Sequence, residues 1–201
     1  MLKRRKNKFV LGVTGGISSG KSTVARGLKG RQGLLIDADR LGHAILKSPA
    51  AYRKIVKTFG PKVLKKNRAI DRVKLAQVVF SRPAGLAKLN RIIHPEIIRR
   101  IRRLIERAKN KFIVLDAALI LEAGLLELVD KLVVVVAKKE QQIKRGQKKL
   151  GLSRHQMLQR IKSQISQKVK LRFADFIIDN SSQLSKTKQQ VAKIRRQLWK
   201  S

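Results

Sequence analysis

The sequence predicts an α/β fold of three layers, with a five-stranded parallel sheet held between helices. Five apolar, β-rich runs at 8–13, 33–36, 111–115, 132–136 and 176–178 are spread along the 201 residues. Near-continuous apolar strands of this kind suit a parallel sheet buried on both faces. Helix-like stretches separate the runs, as right-handed crossovers between parallel strands require. The first run, Phe9-Val10-Leu11-Gly12-Val13, leads directly into a glycine-rich turn and a helical pattern over 22–28.

After the second run comes a long stretch, 41–110, with no convincing buried strand, which reads as an inserted helical excursion. Within it, 72–80 reads as a short helix with Asp71 as its N-cap. His94-Pro95 is expected to introduce a longer helix. There Ile97, Ile98, Ile101, Leu104, Ile105 and Ala108 fall at helical spacing, while Arg99, Arg100, Arg102, Arg103 and Arg107 take the other face. Beyond the fourth run, 138–154 carries Lys138, Lys139, Lys144, Arg145, Lys148 and Lys149 against Glu140 alone. It reads either as a solvated basic helix or as a mobile lid that places cations over phosphates. A helix over 153–166, capped by Ser153, and another over 184–199 complete the chain. The whole is expected to be one domain, 1–201, with the excursion and the lid as subregions.

The charge balance is extreme, with 49 Lys and Arg against 12 Asp and Glu, a formal net charge of +37. Such a field attracts polyanions nonspecifically. The basic residues are spread over the chain, and Trp199, Tyr52 and six Phe are the available stacking platforms. In a chain so poor in carboxylates, each Asp or Glu is a candidate for a specific duty. With no cysteine, neither a disulfide framework nor a thiolate metal site can form, and His43, His94 and His155 lie far apart in sequence. The basic start (Lys3, Arg4, Arg5, Lys6, Lys8) is followed by too few apolar residues to read as a secretory leader. The most apolar region, 112–137, is interrupted by Asp116, Glu122, Glu127 and Asp130, which argues against a membrane span. A cytoplasmic location without membrane partners is expected.

Residues 15–22 read Gly15-Gly16-Ile17-Ser18-Ser19-Gly20-Lys21-Ser22, a G-x-x-x-x-G-K-S phosphate loop placed between a strand and a helix. Glycines let successive N–H groups curl around a phosphate chain, and the helix N-terminus adds its positive dipole end. Lys21 can span the β- and γ-phosphates, and Ser22 can offer its hydroxyl to Mg²⁺ arriving with the nucleotide. Ser18 stands where glycine is common, which is tolerable if its φ stays below zero. No acidic residue precedes position 37, and then Asp37 and Asp39 arrive together at the end of the second run. Ligands of open parallel sheets sit beyond the carboxyl ends of the strands, so this pair is expected at the same crevice as the phosphate loop. Asp39 is either a base for an attacking hydroxyl or simply a helix cap. Asp116 ends the third run and is a Mg²⁺ candidate, and Glu122 could orient substrate or a basic lid residue.

The ordered set of motifs resembles the dephospho-coenzyme A kinase family. The run Leu11 through Ala25 and then Ile36-Asp37-Ala38-Asp39 carry the likeness first. It continues through Phe59-Gly60-Pro61, Asp71-Arg72, His94-Pro95, Val114-Leu115-Asp116 to Leu125, Gly151-Leu152-Ser153-Arg154, Arg160-Ile161, Gln164 and Ile178-Asp179-Asn180-Ser181. The resemblance implies a P-loop kinase fold with a helical acceptor-binding insertion and a lid. It also implies transfer of the ATP γ-phosphate to the ribose 3′-hydroxyl of dephospho-coenzyme A, the last step of coenzyme A synthesis. The alternative readings are another nucleoside or nucleotide kinase of the same fold, or a P-loop NTPase that binds nucleic acid. Asp39, Lys21 and Arg145 would then be catalytic. ATP would contact Gly16, Ile17, Ser18, Ser19, Gly20, Lys21, Ser22, Thr23 and Asn180; the acceptor would contact Asp39, His94, Asp116 and Glu122; Ser22 and Asp116 would hold Mg²⁺. His94 has an equally available reading as a structural residue at a helix start. The chain departs from the family pattern at Ala118 and Leu121, where Pro and Phe are usual, and at Lys149 and Leu150 in the lid. These changes, with Gly146 in the lid helix, are expected to loosen the loop and the lid.

Overall fold

Strand β1 (Phe9–Gly15) is buried from Val10 to its end and lies at the centre of a parallel sheet in a computed structural model that describes residues 7–81 and 83–199. The basic residues Lys3, Arg4, Arg5 and Lys6 lie outside the described residues. With β2 (Leu34–Asp37), β3 (Phe112–Asp116), β4 (Lys131–Val136) and β5 (Phe176–Asp179), the described strands form a five-stranded sheet in the order β2-β3-β1-β4-β5. Every neighbouring pair is parallel. The register places Val13 and Asp37 both opposite Asp116, and Val136 opposite Asp179, so the carboxyl ends of the strands share one edge of the sheet. Two aspartates tie strand starts together. Asp130 Oδ2 accepts from Val10 N at 2.6 Å, and Asp175 Oδ2 accepts from Leu132 N at 2.8 Å.

Helix α1 (Lys21–Lys29) buries Val24, Ala25 and Leu28 on one face of the sheet. They meet Leu11, Val13, Val114, Val133, Val135 and Ile178, and the last helix α9 (Leu184–Trp199) adds Val191 and Ile194 to the same cluster. Each fully buried aliphatic side chain here contributes roughly 1.5–3 kcal/mol. Three further helices of this unit, α6 (Lys139–Leu150), α7 (Arg154–Lys162) and α8 (Gln167–Leu171), follow β4. The helix expected over 153–166 ends early: α7 stops at Lys162, and a separate helix α8 follows, capped by the Ser166 hydroxyl, which accepts from Val169 N.

The chain divides into two compact units, one built up to Asp37 and from Leu104 onward, the other from Ala38 to Arg103. The second unit overlaps the stretch read as an excursion over 41–110, but begins at Ala38 and ends at Arg103. It holds α2 (Ala38–Ile45), α3 (Pro49–Phe59), α4 (Arg72–Phe80) and most of α5 (Pro83–Arg107), around Ile45, Ile55, Phe59, Val63, Leu75 and Val79. Asp71 caps α4 as expected, accepting from Val73 N at 2.9 Å and Lys74 N at 3.2 Å. The Lys74 N–H beside it holds its carboxyl below the usual range. One expectation is overturned. His94-Pro95 does not begin a helix, because α5 starts eleven residues earlier at Pro83 and runs through Pro95. Leu86, Leu89, Ile92, Ile93 and Ile97 pack on the unit's core from both sides of the proline. That burial outweighs the roughly 3 kcal/mol that a proline costs inside a helix.

Candidate active site

The phosphate loop connects β1 to α1 and is shaped by what packs on it. Gly20, the residue before α1, sits at φ 94°, and a Cβ there would collide with the Asn180 side-chain amide. At Gly16 a Cβ would come within 2.6 Å of Gln142 Oε1 on α6. Ser18 contradicts its expected backbone: its φ is +57°, in the left-handed region. The loop needs a turn there whatever the residue, and the chain supplies a serine where glycine would fit without strain.

Lys21 is the first residue of α1, and its Nζ lies 3.0 Å from Asp116 Oδ1 at the end of β3. Asp116 is buried at 1 % exposure. Oδ1 makes no hydrogen bond of good geometry, so the contact is an ion pair by distance alone. Ser22 follows on the first turn of the same helix. Among the described residues, no group of three or more His, Cys, Asp or Glu converges to hold a metal ion. The Asp116 carboxylate and the Ser22 hydroxyl are oxygen donors of the kind that a hard cation such as Mg²⁺ takes.

Asn180 and Gln164 brace the loop from outside, and Arg145 holds Asn180 in turn. Asn180 Nδ2 donates to Ser19 O at 2.8 Å, while Asn180 Oδ1 accepts from Thr187 Oγ1 at 2.8 Å. Both ends of the amide are thereby engaged within the protein beneath the loop. Arg145, on α6, donates through Nη2 to Asn180 O at 3.0 Å. Its Nη1 is buried without a hydrogen-bond partner, and so is Ser19 Oγ. Gln164 Oε1, between α7 and α8, accepts from Ile17 N at 2.9 Å.

The expected lid is α6 with the turn that leads into α7. Its buried face, Gln142, Ile143 and Gly146, lies toward the protein, and Lys144, Lys148 and Lys149 are exposed. Gly146 has a packing reason that differs from local loosening: a Cβ there would collide with the buried end of Met157 on α7. Arg154, at the start of α7, holds Glu140 with two hydrogen bonds of 2.7 and 2.8 Å, and the guanidinium keeps that carboxyl below its usual range. Glu122 does not meet the basic residues expected of a lid. Its Oε1 accepts from Ile165 N at 2.9 Å and lies 3.4 Å from Nζ of Lys170 on α8. Ala118, where the family's proline is absent, is held by its carbonyl, which accepts from Thr14 Oγ1 at 3.1 Å and Lys170 Nζ at 2.8 Å. Asp39 is the second residue of α2, two positions after the end of β2, and His94 lies mid-way along α5; both belong to the Ala38–Arg103 unit.

A sequence model of the dephospho-CoA kinase family matches residues 9–186, most of the chain. The chain belongs to that family. It is 41 % identical over 195 residues to a dephospho-CoA kinase of Carboxydothermus hydrogenoformans, covering 95 % of this chain and 94 % of the relative. A second relative, the dephospho-CoA kinase of Syntrophus aciditrophicus, is 39 % identical over 98 % of this chain and 86 % of its own. Among solved structures, a Thermus thermophilus protein superposes with a TM-score of 0.77 at 29 % identity, covering 96 % of this chain and 99 % of that one. Dephospho-CoA kinase from Campylobacter jejuni gives 0.62 at 29 % identity, over 96 % and 98 % of the two chains. The three-layer P-loop kinase architecture expected from the sequence is therefore the fold of this chain.

Nothing in the local sequence marks Lys170, Gln142 or Thr187, and Gln164 stands out only within the family pattern. Lys170 sits in a stretch, Gln167-Lys168-Val169-Lys170-Leu171, that looks like any basic surface helix. Its burial at 1 % exposure is a tertiary event with no local signature.

Proposed function

We propose that this chain transfers the γ-phosphoryl group of ATP to the ribose 3′-hydroxyl of dephospho-coenzyme A, giving coenzyme A and ADP as the last step of coenzyme A synthesis. Membership of the dephospho-CoA kinase family supports the reaction, and the observation that carries its chemistry is Lys21 Nζ lying 3.0 Å from buried Asp116 Oδ1 at the foot of the phosphate loop. In the proposed reaction the loop from Gly16 to Thr23 holds the triphosphate, with the N–H groups of Ser18, Gly20, Lys21 and Ser22 as donors and the α1 dipole adding positive potential. Those of Ile17, Ser19 and Thr23 bond instead to Gln164 Oε1, Gly16 O and Gly20 O. Lys21 turns part of its charge from Asp116 to the phosphoryl oxygens, and Arg145 brings the unpartnered Nη1 to the same anion. Asp39 accepts the hydroxyl proton as the 3′-oxygen bonds to the γ-phosphorus and the bond to the β-phosphate oxygen breaks, releasing ADP. Mg²⁺, when bound with ATP, would neutralise phosphate charge, and Ser22 and Asp116 are the residues to hold it. His94 and Glu122 belong to the acceptor side in this reading, His94 by contact and Glu122 by holding the loop after β3.

The reading is tested with Asp39→Asn. Turnover should fall at least a hundredfold while the ATP Kd stays within about threefold of the parent. Phosphorylation of dephospho-coenzyme A at the parent rate would remove Asp39 from the mechanism. No described helix is long and apolar enough to cross a membrane.

A further inference from the structure

Among the described residues, the most deeply buried cation is not the one in the phosphate loop. Lys170 is 1 % exposed, and its ammonium donates to Ala118 O at 2.8 Å beside Glu122 Oε1 at 3.4 Å. A lysine is almost never so buried unless it is paired, and a core position could have been filled by a leucine. The carbonyl it holds is two residues beyond Asp116, and Ala117 N between them donates to Val13 O at 3.0 Å. The same connection that supplies Lys170 also supplies Ile165 N to Glu122 and Gln164 Oε1 to Ile17 N. A single segment, 164–170, therefore grips the phosphate loop at one end and the loop after β3 at the other.

We propose that Lys170 is a positioning residue for phosphoryl transfer, fixing the Asp116 to Ala118 backbone so that the Asp116 carboxylate keeps its place against Lys21. The inference rests on the reading of Lys21 and Asp116 as the transfer site. A displacement of about 1 Å at such a site can cost on the order of a hundredfold in rate, whereas the N–H groups that bind ATP belong to a different loop.

The test compares Lys170→Met, Lys170→Arg and Glu122→Gln in the full chain, using ATP, Mg²⁺ and dephospho-coenzyme A. Lys170→Met should lower kcat at least tenfold with KM for ATP within about twofold, and Lys170→Arg should recover kcat to within about threefold of the parent. Glu122→Gln retains a hydrogen-bonding side chain and removes the charge, so it should lower kcat about threefold or more; it stands in should Lys170→Met fail to fold. Unchanged kcat in the folded fraction of either variant overturns the proposal, as does loss of activity that tracks unfolding alone and is not recovered by arginine. A parent protein without acceptor-dependent turnover would instead defeat the reaction assignment.

Discussion

Lys21 Nζ and Asp116 Oδ1 stand 3.0 Å apart, the lysine opening α1 and the aspartate closing β3, with the carboxylate at 1 % exposure. The pair ties the start of α1, and with it the end of the glycine loop, to the end of β3.

Such a pair is structural as well as chemical. Lys21→Met leaves a buried carboxylate without its partner, and breaking a buried pair in this way costs about 3–5 kcal/mol. The variant should lose thermal stability together with a hundredfold or more of kcat. Lys21→Met combined with Asp116→Asn should regain most of the stability and none of the turnover. Calorimetry beside a steady-state assay separates the two effects.

Ser18 at φ +57° predicts an uncommon gain from glycine. A non-glycine residue in the left-handed region costs roughly 1–2 kcal/mol, partly offset by the extra freedom glycine has in the unfolded chain. Ser18→Gly should therefore stabilise by about 0.5–1 kcal/mol, and Ser18→Val, with a branched side chain, should destabilise by about 1–3 kcal/mol. Chemical denaturation of the three proteins measures both.

Asn180 joins Ser19 O to Thr187 Oγ1 with two bonds of 2.8 Å. Asn180→Ala leaves both partners buried and unsatisfied, at about 1–3 kcal/mol each. A fall in Tm of several degrees should come with a raised KM for ATP, because the loop beneath the triphosphate loses its brace. An unchanged KM with lowered Tm would confine Asn180 to stability.

Acid should act through Asp175. Burial works to raise its carboxyl, but Lys131 and the Leu132 N–H outweigh this and hold it below the usual range. Its contribution is then complete above about pH 4 and fades as the pH falls through the lower folded value. Asp175→Asn should cost about 1 kcal/mol at pH 7 and progressively less toward pH 2, as urea titrations across that range would record.

The sheet was legible in the sequence because its strands are apolar throughout, and each expected run matches an observed strand to within a residue or two at its ends. The phosphate loop and the carboxylates ending β2 and β3 were legible for the same reason, since a motif of local spacing needs no distant partner. What escaped depends on packing. Pro95 is a helix breaker by local chemistry and a mid-helix residue in the fold, because half-buried isoleucines and leucines on either side of it pack on one core. Gly146 reads as a weak point of a helix and proves to be the surface on which Met157 rests. Lys170 and Gln164 act through contacts 52 and 147 residues away along the chain, beyond anything periodicity can report.

The most direct measurement is coupled detection of ADP release with ATP and Mg²⁺, in the presence and absence of dephospho-coenzyme A. Rapid release that requires the acceptor, accompanied by a product phosphorylated at the ribose 3′ position, is the predicted result. Release at the same rate without the acceptor, or none with it, would contradict the assignment.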